Sequence, residues 1–320
     1  MADSPTPRIA ESVPFEVARD CVAVAFSGGL DSTALLLATA RQAKLLSLRV
    51  VALHVHHGLM PEAEAWVQHA KKVCAELDLP LRVARLQGKP HQGDSVEAWA
   101  RRGRYEALAA MAQEEGASLL LLAQHGEDQA ETVLLQALRG AGPSGLAAMP
   151  QCWTEAGITW ARPWLQQPRR ALQALVEEAG VPVVEDPSNL DPRYARSRLR
   201  TQVWPALVQS FPSAAAVLAE VARHAAQAKA LGVEVAQLDL PVCTDAQQRL
   251  RFTPWSALPP ARRRNALAAW LALQMPDVPV SLVDRLSAEW QGQGGRWPAP
   301  MGWLLAQRKV LRFETSSPTK

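Results

Sequence analysis

Ser27-Gly28-Gly29-Leu30-Asp31-Ser32 packs two glycines, two hydroxyls and a carboxylate into one short stretch. The apolar run Cys21–Phe26 before it reads as a buried strand, and Thr33–Ala38 after it reads as the start of a helix. A strand, a tight glycine turn and a helix N-terminus make an anion site, because free backbone N–H groups and the positive helix end converge on one spot. The glycines let the backbone turn sharply and approach a ligand closely. Ser27, Ser32 and Thr33 add hydroxyl donors, and Asp31 can hold a cation beside a phosphate. The chemistry this suggests is nucleotide binding, and hence an enzyme. Neither G-x-x-x-x-G-K-[ST] nor G-x-G-x-x-G occurs.

Four further clusters carry reactive side chains. In His125-Gly126-Glu127-Asp128-Gln129-Ala130-Glu131-Thr132, a helix starting near Glu127 puts Asp128 and Glu131 on one face. Two carboxylates there can hold an ammonium group or a metal-bound phosphate; acidic capping of the first turn gives the same pattern. In His54-Val55-His56-His57-Gly58-Leu59, strand alternation sends His54 and His56 to one face and His57 to the other. Nucleotide contact fits that arrangement better than a metal. Glu97 to Tyr105 holds Arg101, Arg102 and Arg104, and one of these forks could stabilise charge on a phosphate. The run from Glu185 to Arg200 ends in Arg193, Arg196, Arg198 and Arg200 around Tyr194, a pattern suited to nucleic-acid phosphates and bases.

The elements that must position these groups alternate. Strand-like runs at 21–26, 49–55, 81–86 and 118–123 are separated by helical periodicity at 62–77, 95–115 (Ser95 as cap) and 127–138. Alternating β and α implies a parallel sheet with helices on both faces, and such sheets bind ligands beyond their C-terminal strand ends. The glycine loop, His54–Gly58 and His125–Glu131 all fall at those ends. Gly140–Gly145 reads as a loop, and 168–179 as a short helix closed by Gly180. Helices at 214–231, 261–274 and 281–290 follow, then turns and short strands. The expected organisation is an N-terminal extension over 1–20, an α/β catalytic domain over 21–210 and a smaller, mainly helical domain over 211–320.

A chain of 320 residues, 48% apolar, supports two cores. It shows no run of transmembrane length and no signal-peptide pattern, so a cytoplasmic location without membrane contact is expected. Cys21, Cys74, Cys152 and Cys243 are scattered, which argues against a disulfide framework or a cysteine-rich zinc site. Net charge is +3, unevenly spread: residues 201–320 carry 13 Lys+Arg against 8 Asp+Glu. Arg249, Arg251 and Arg262–Arg264 in that basic half are candidates for contact with nucleic acid.

The first motif resembles the SGGxDS signature of the ATP-pyrophosphatase (PP-loop) superfamily. Taken together, SGGLDS at 27–32, HVHHGL at 54–59, SVEAWARRGRYEAL at 95–108, HGEDQAETVLLQALRGAGPSGLAAM at 125–149, RPW at 162–164 and EDPSNLDPRYARSRLR at 185–200 resemble the tRNA(Ile)-lysidine synthase family. The likeness is strong over about 21–205. Departures fall at His56, Gln124, Glu127 and Ser197, where that family commonly has Asn, His, Asp and Asn. The resemblance implies a Rossmann-like PP-loop fold and ATP bound by Ser27, Gly28, Gly29, Leu30, Asp31, Ser32 and His54. It implies Mg²⁺ on Asp31, Arg104 at the α-phosphate, free L-lysine held by Asp128 and Glu131, and tRNA on Arg193, Arg196, Arg198 and Arg200. Asp31, Arg104, Asp128 and Glu131 are then the catalytic set. The implied reaction joins lysine to C2 of the wobble cytidine of the CAU anticodon of tRNA(Ile) through an adenylated cytidine. The rival enzyme reading is a PP-loop tRNA thiolase. A homodimer is among the assemblies this leaves open.

Overall fold

The computed structural model describes residues 20–315 except 59, 61, 89–95, 188–190 and 276–277. The N-terminal extension before residue 20 and the Ser95 cap lie outside the described residues. The chain divides into two compact units, Met1–His224 and Ala225–Lys320.

The first unit is wound around a six-stranded sheet. Its elements are β1 (Cys21–Ala25), α1 (Leu30–Leu45), β2 (Arg49–His56), α2 (Ala63–Glu76), β3 (Leu81–Arg85), α3 (Val96–Glu114), β4 (Leu119–Leu121) and α4 (Gly126–Ala137). There follow α5 (Pro143–Leu146), β5 (Cys152–Glu155), β6 (Ile158–Ala161), α6 (Arg169–Ala179), α7 (Ala195–Arg198), a π-helical turn over Leu199–Val203 and α8 (Trp204–Ser210). The strand order is β3-β2-β1-β4-β6-β5, parallel except for the β5–β6 hairpin. From β1 the chain winds outward to β2 and β3, then returns to place β4 on the other flank. The order reverses beside β1, which opens a crevice at the strand C-termini.

Alternation along β1 explains both faces of the sheet. Val22 and Val24 pack with Leu35, Leu36 and Val73 under α1 and α2, while Cys21 and Ala23 pack with Leu108 and Met111 of α3. Apolar residues on both faces fit a strand buried on both sides. Helix α6 ends at Gly180 with φ 64°, the left-handed cap expected from the sequence.

The division between units falls within α9 (Ala214–Cys243), a helix that runs twelve residues past the predicted end at Leu231. Pro241 sits near its end, where few following carbonyl–amide bonds remain to be lost. The second unit continues with β7 (Leu250–Arg251), α10 (Phe252–Ser256), α11 (Pro260–Gln274), α12 (Val280–Glu289), β8 (Gly295–Ala299), β9 (Gly302–Gln307) and β10 (Val310–Thr315). Its four strands form an antiparallel sheet, β7-β10-β9-β8. Trp255, Trp270, Trp290 and Leu304 fill its core. Gly140–Gly145, read as a loop, contains the start of α5, and the strand expected over 118–123 shortens to three residues.

Candidate active site

One cavity of about 350 Å³ gathers the chemistry-bearing segments of the first unit. The C-terminal rim of β1 and the glycine turn supply Phe26, Ser27, Gly29, Asp31 and Ser32; β2 supplies His54 and, just past its end, His57. The rim of β4 supplies Leu122, Ala123, Gln124 and Asp128, and α3 supplies Arg101, Arg104 and Tyr105.

The glycine turn is built as its sequence demands. Gly28 has φ 87°, in the left-handed region, and a Cβ there would meet His69 at 3.0 Å. The Ser32 hydroxyl donates to the Gly29 carbonyl at 3.0 Å and lies 3.0 Å from the Ser27 hydroxyl. The loop is therefore braced by its own side chains, with the first turn of α1 behind it. The ring of His54 is buried, its Nδ1 2.9 Å from the Phe26 carbonyl, which ties β2 to β1 at the rim. Burial lowers its pKa and favours the neutral ring.

Charge in the crevice is organised by His125, which is 1% exposed. Its Nδ1 lies 3.0 Å from Glu127, and its Nε2 lies 3.4 Å from Asp128 and 3.7 Å from Asp31. Burial opposes a charge on this ring, but hydrogen bonds to Asp31 and Glu127 and the field of Asp128 outweigh it and lift its pKa to about 9. Burial pushes Asp31 up, yet His125 and then Arg169, 3.4 Å away, hold it below its ordinary value. Asp128 also accepts the backbone N–H of His125, closing the start of α4.

Glu131, 2% exposed, lies behind this layer. Arg200 grips both its oxygens at 2.8 Å and reaches Asp128 at 3.2 Å, while Arg196 approaches Glu131 at 3.4 Å. The two carboxylates are thus brought together, but only Asp128 lines the cavity. Arg193 and Arg198 are exposed; Arg193 pairs with Asp191 at 2.6 Å and Arg198 donates to the Pro192 carbonyl at 2.8 Å. Arg104 lines the cavity from an exposed position, and the protein around it lowers its pKa through desolvation.

A family model described as the PP-loop domain matches residues 6–207. A tRNA(Ile)-lysidine synthase of Polaromonas naphthalenivorans is 43% identical over 82% of this chain and 78% of its own length. The chain belongs to the tRNA(Ile)-lysidine synthase family. A second relative with that name, from Bordetella pertussis, is 42% identical over 85% of both chains, and one from Ralstonia nicotianae is 47% identical over 78% of this chain and 54% of its own. Among solved structures, the U34-tRNA thiolase of Methanococcus maripaludis is similar in fold, with TM-score 0.58 and 16% identity over 68% of this chain and 76% of its own.

Against this lysidine synthase frame, several placements differ from the sequence expectation. His54 and His57 share the cavity, because His57 lies beyond the last strand residue and alternation no longer governs it; His56 turns toward Glu64 of α2 at 3.8 Å. The sequence expectation passed over His125 and Arg169, which the structure places against Asp31. The signal for His125 was its place just before the helix; that for Arg169 was absent, since its partner Asp31 is 138 residues away. The departures from the family pattern are built in: Gln124 accepts from Arg162 at 2.9 Å, and Glu127 accepts the Arg169 backbone N–H at 2.9 Å. The cavity is lined by no cysteine; Cys21, Cys74 and Cys243 are buried, and burial pushes Cys74 up to about 11.

Proposed function

We propose that the chain forms lysidine on tRNA(Ile), and that it does so at this cavity. The observation that carries the assignment of the site is that Ser27, Asp31 and Ser32 of the glycine loop line the same cavity as Asp128 and Arg104. ATP is the cosubstrate of this PP-loop site. Its phosphates meet the Ser27–Ser32 turn and the N-terminus of α1, and His54 lies where the nucleoside would extend. Asp31 is the one carboxylate on that turn and would hold Mg²⁺ beside the phosphates, since the described residues form no cluster of three or more metal-ligating side chains. Bound there, the ion would neutralise phosphate charge.

O2 of the wobble cytidine attacks the α-phosphate of ATP, and the bond to pyrophosphate breaks. Arg104 lines the cavity where negative charge develops and stabilises it. The lysine ε-ammonium then passes a proton to water, the free amine attacks C2, a second proton leaves the new C–N bond for water, and AMP departs with its oxygen. Asp128 meets the ammonium group from the cavity wall; Glu131 joins it when Arg200 lets go. Positioning and charge account for the chemistry without a covalent enzyme intermediate. Arg193, Arg196, Arg198 and Arg200 lie on the segment proposed to meet tRNA, and the basic second unit is proposed to meet the tRNA body. The protein acts in the cytoplasm in this reading, with a homodimer as the assembly to be checked by sedimentation. No single helix among the described residues is long and apolar enough to cross a membrane.

The test incubates the full chain with Mg-ATP, radiolabelled lysine and a CAU-anticodon tRNA(Ile) transcript. Labelled RNA is expected, and Asp128→Asn is expected to lower its rate by about 10²–10³-fold, the range seen when one electrostatic contact to a reacting group is removed. Full activity in that variant would remove the lysine assignment.

A further inference from the structure

Arg162 stands just past β6, is 2% exposed, and meets no carboxylate among the described residues. A buried charge without a countercharge is expensive and is kept only where its hydrogen bonds are used. Arg162 spends them on neutral groups. Nε donates to Gln124 Oε1 at 2.9 Å, Nη1 to the Pro150 carbonyl at 2.7 Å, and Nη2 to the Tyr105 hydroxyl at 3.1 Å. Its guanidinium lies over the Trp153 ring at 4.3 Å. Trp153 pairs in register with Trp160 across the β5–β6 hairpin, and Trp160 stacks on Tyr105 at 5.2 Å.

The consequence lies in hydrogen-bond polarity. A guanidinium can only donate. The Gln124 amide must therefore turn its oxygen to Arg162, which commits its NH₂ as a donor. The Tyr105 oxygen accepts from Arg162 and faces Arg101 Nη2 at 3.5 Å, so its own proton is free to be donated. Gln124 and Tyr105 sit on adjacent nitrogens of one guanidinium edge, and both line the cavity. The wall they form offers two neighbouring donors to whatever lies against it.

We propose that Arg162 is a positioning residue that fixes Gln124 and Tyr105 as paired donors, and that this pair reads the N3–O2 acceptor edge of the cytidine being modified. The inference rests on the proposed function. Neutral cytosine carries an unprotonated N3 beside O2; uracil carries N3–H there and would set donor against donor. O2 has a second lone pair, which is left for its attack on phosphorus. A donor on N3 also draws electrons from C2, where the amine adds.

The test compares wild type with Gln124→Glu, Tyr105→Phe and Arg162→Lys, using the full chain, Mg-ATP, lysine and tRNA(Ile) transcripts with C or U at the wobble position. Gln124→Glu keeps shape and gives Arg162 a carboxylate, so it should fold. It is expected to lower kcat/KM for the C transcript by about tenfold or more, in line with one hydrogen bond to a base, to narrow the preference for C over U, and to leave the KM for ATP unchanged. Arg162→Lys should reproduce that loss, and combining it with Gln124→Glu should add little. An unchanged C-over-U preference in Gln124→Glu, with wild-type Tm, overturns the proposal. So does a raised KM for ATP with unchanged kcat/KM for tRNA. A wild type that yields no labelled RNA defeats the proposed function by that control alone. The wall is then judged by binding of C and U anticodon stem-loops, where an equal preference in wild type and Gln124→Glu overturns it.

Discussion

Gly28 shows how tightly single residues are specified at the site. Its φ of 87° suits only glycine comfortably, and His69 leaves 3.0 Å where a methyl would stand. Gly28→Ala must either unbend the turn or displace the His69 ring. Strain of this kind costs on the order of 1–3 kcal/mol, and most of it falls on the loop proposed to meet phosphate. The variant is expected to stay folded with a lower Tm, and to raise the KM for ATP about tenfold, the equivalent of roughly 1.4 kcal/mol. An unchanged KM would show that the turn is not the phosphate site. Gly28 could be read from the sequence because two glycines between an apolar strand and a helix have few other uses. His125 could not be valued the same way. Its worth comes from Asp31, which chain alternation carries to it across the neighbouring strand termini β1 and β4.

At the scale of elements, the buried parallel strands were the most readable, since β1, β2 and β4 are short apolar runs and their helices repeat apolar residues at helical spacing. The β5–β6 hairpin escaped because four-residue strands carry too few side chains to show a period, and its turn, Ala156-Gly157, was a faint signal. The helix expected to end at Leu231 runs on through Gly232 and Pro241, and Ala236, Asp239 and Cys243 keep one face buried to the end. Elements are also tied by charge away from the site. Glu115, after α3, accepts from Arg49 of β2 at 2.6 Å and from Arg82 of β3 at 2.5 Å. These hydrogen bonds hold its carboxyl below its ordinary 4.5. The unfolded chain therefore takes up this proton first as pH falls, and the stabilisation, complete above about 4.5, is lost on descending through the lower folded value. Glu115→Gln is expected to flatten the dependence of Tm on pH in that window while leaving lysidine formation intact. An unaltered slope would mean that the cluster contributes nothing measurable.

For the whole molecule, the described residues that line the cavity belong to Met1–His224, whereas the arginines of the second unit are partly committed to their own fold. Arg262 pairs with buried Asp239, Arg264 with Asp284 at 2.8 Å, and Arg263 lies over Trp255 at 5.6 Å. A basic composition was legible, but which arginines remain available to RNA was not, because their partners are set by packing. Arg200 faces the same choice within the first unit. Its Nε and Nη2 are given to Glu131 and Asp128, and an RNA phosphate would compete with those carboxylates for the same guanidinium. If tRNA draws Arg200 away, Asp128 and Glu131 lose a shared cation and a second can take its place; free lysine brings one. Substrates would then enter in sequence, RNA ahead of the amino acid, with each tightening the hold on the other by the same factor. Calorimetry should find lysine binding weak to the protein alone and stronger once a CAU anticodon stem-loop is present, and Arg200→Gln should shrink that difference. Equal lysine affinity in both states would show that the two sites are independent. A working coupling would make Arg200 a timekeeper, withholding the amino acid until there is an RNA to receive it.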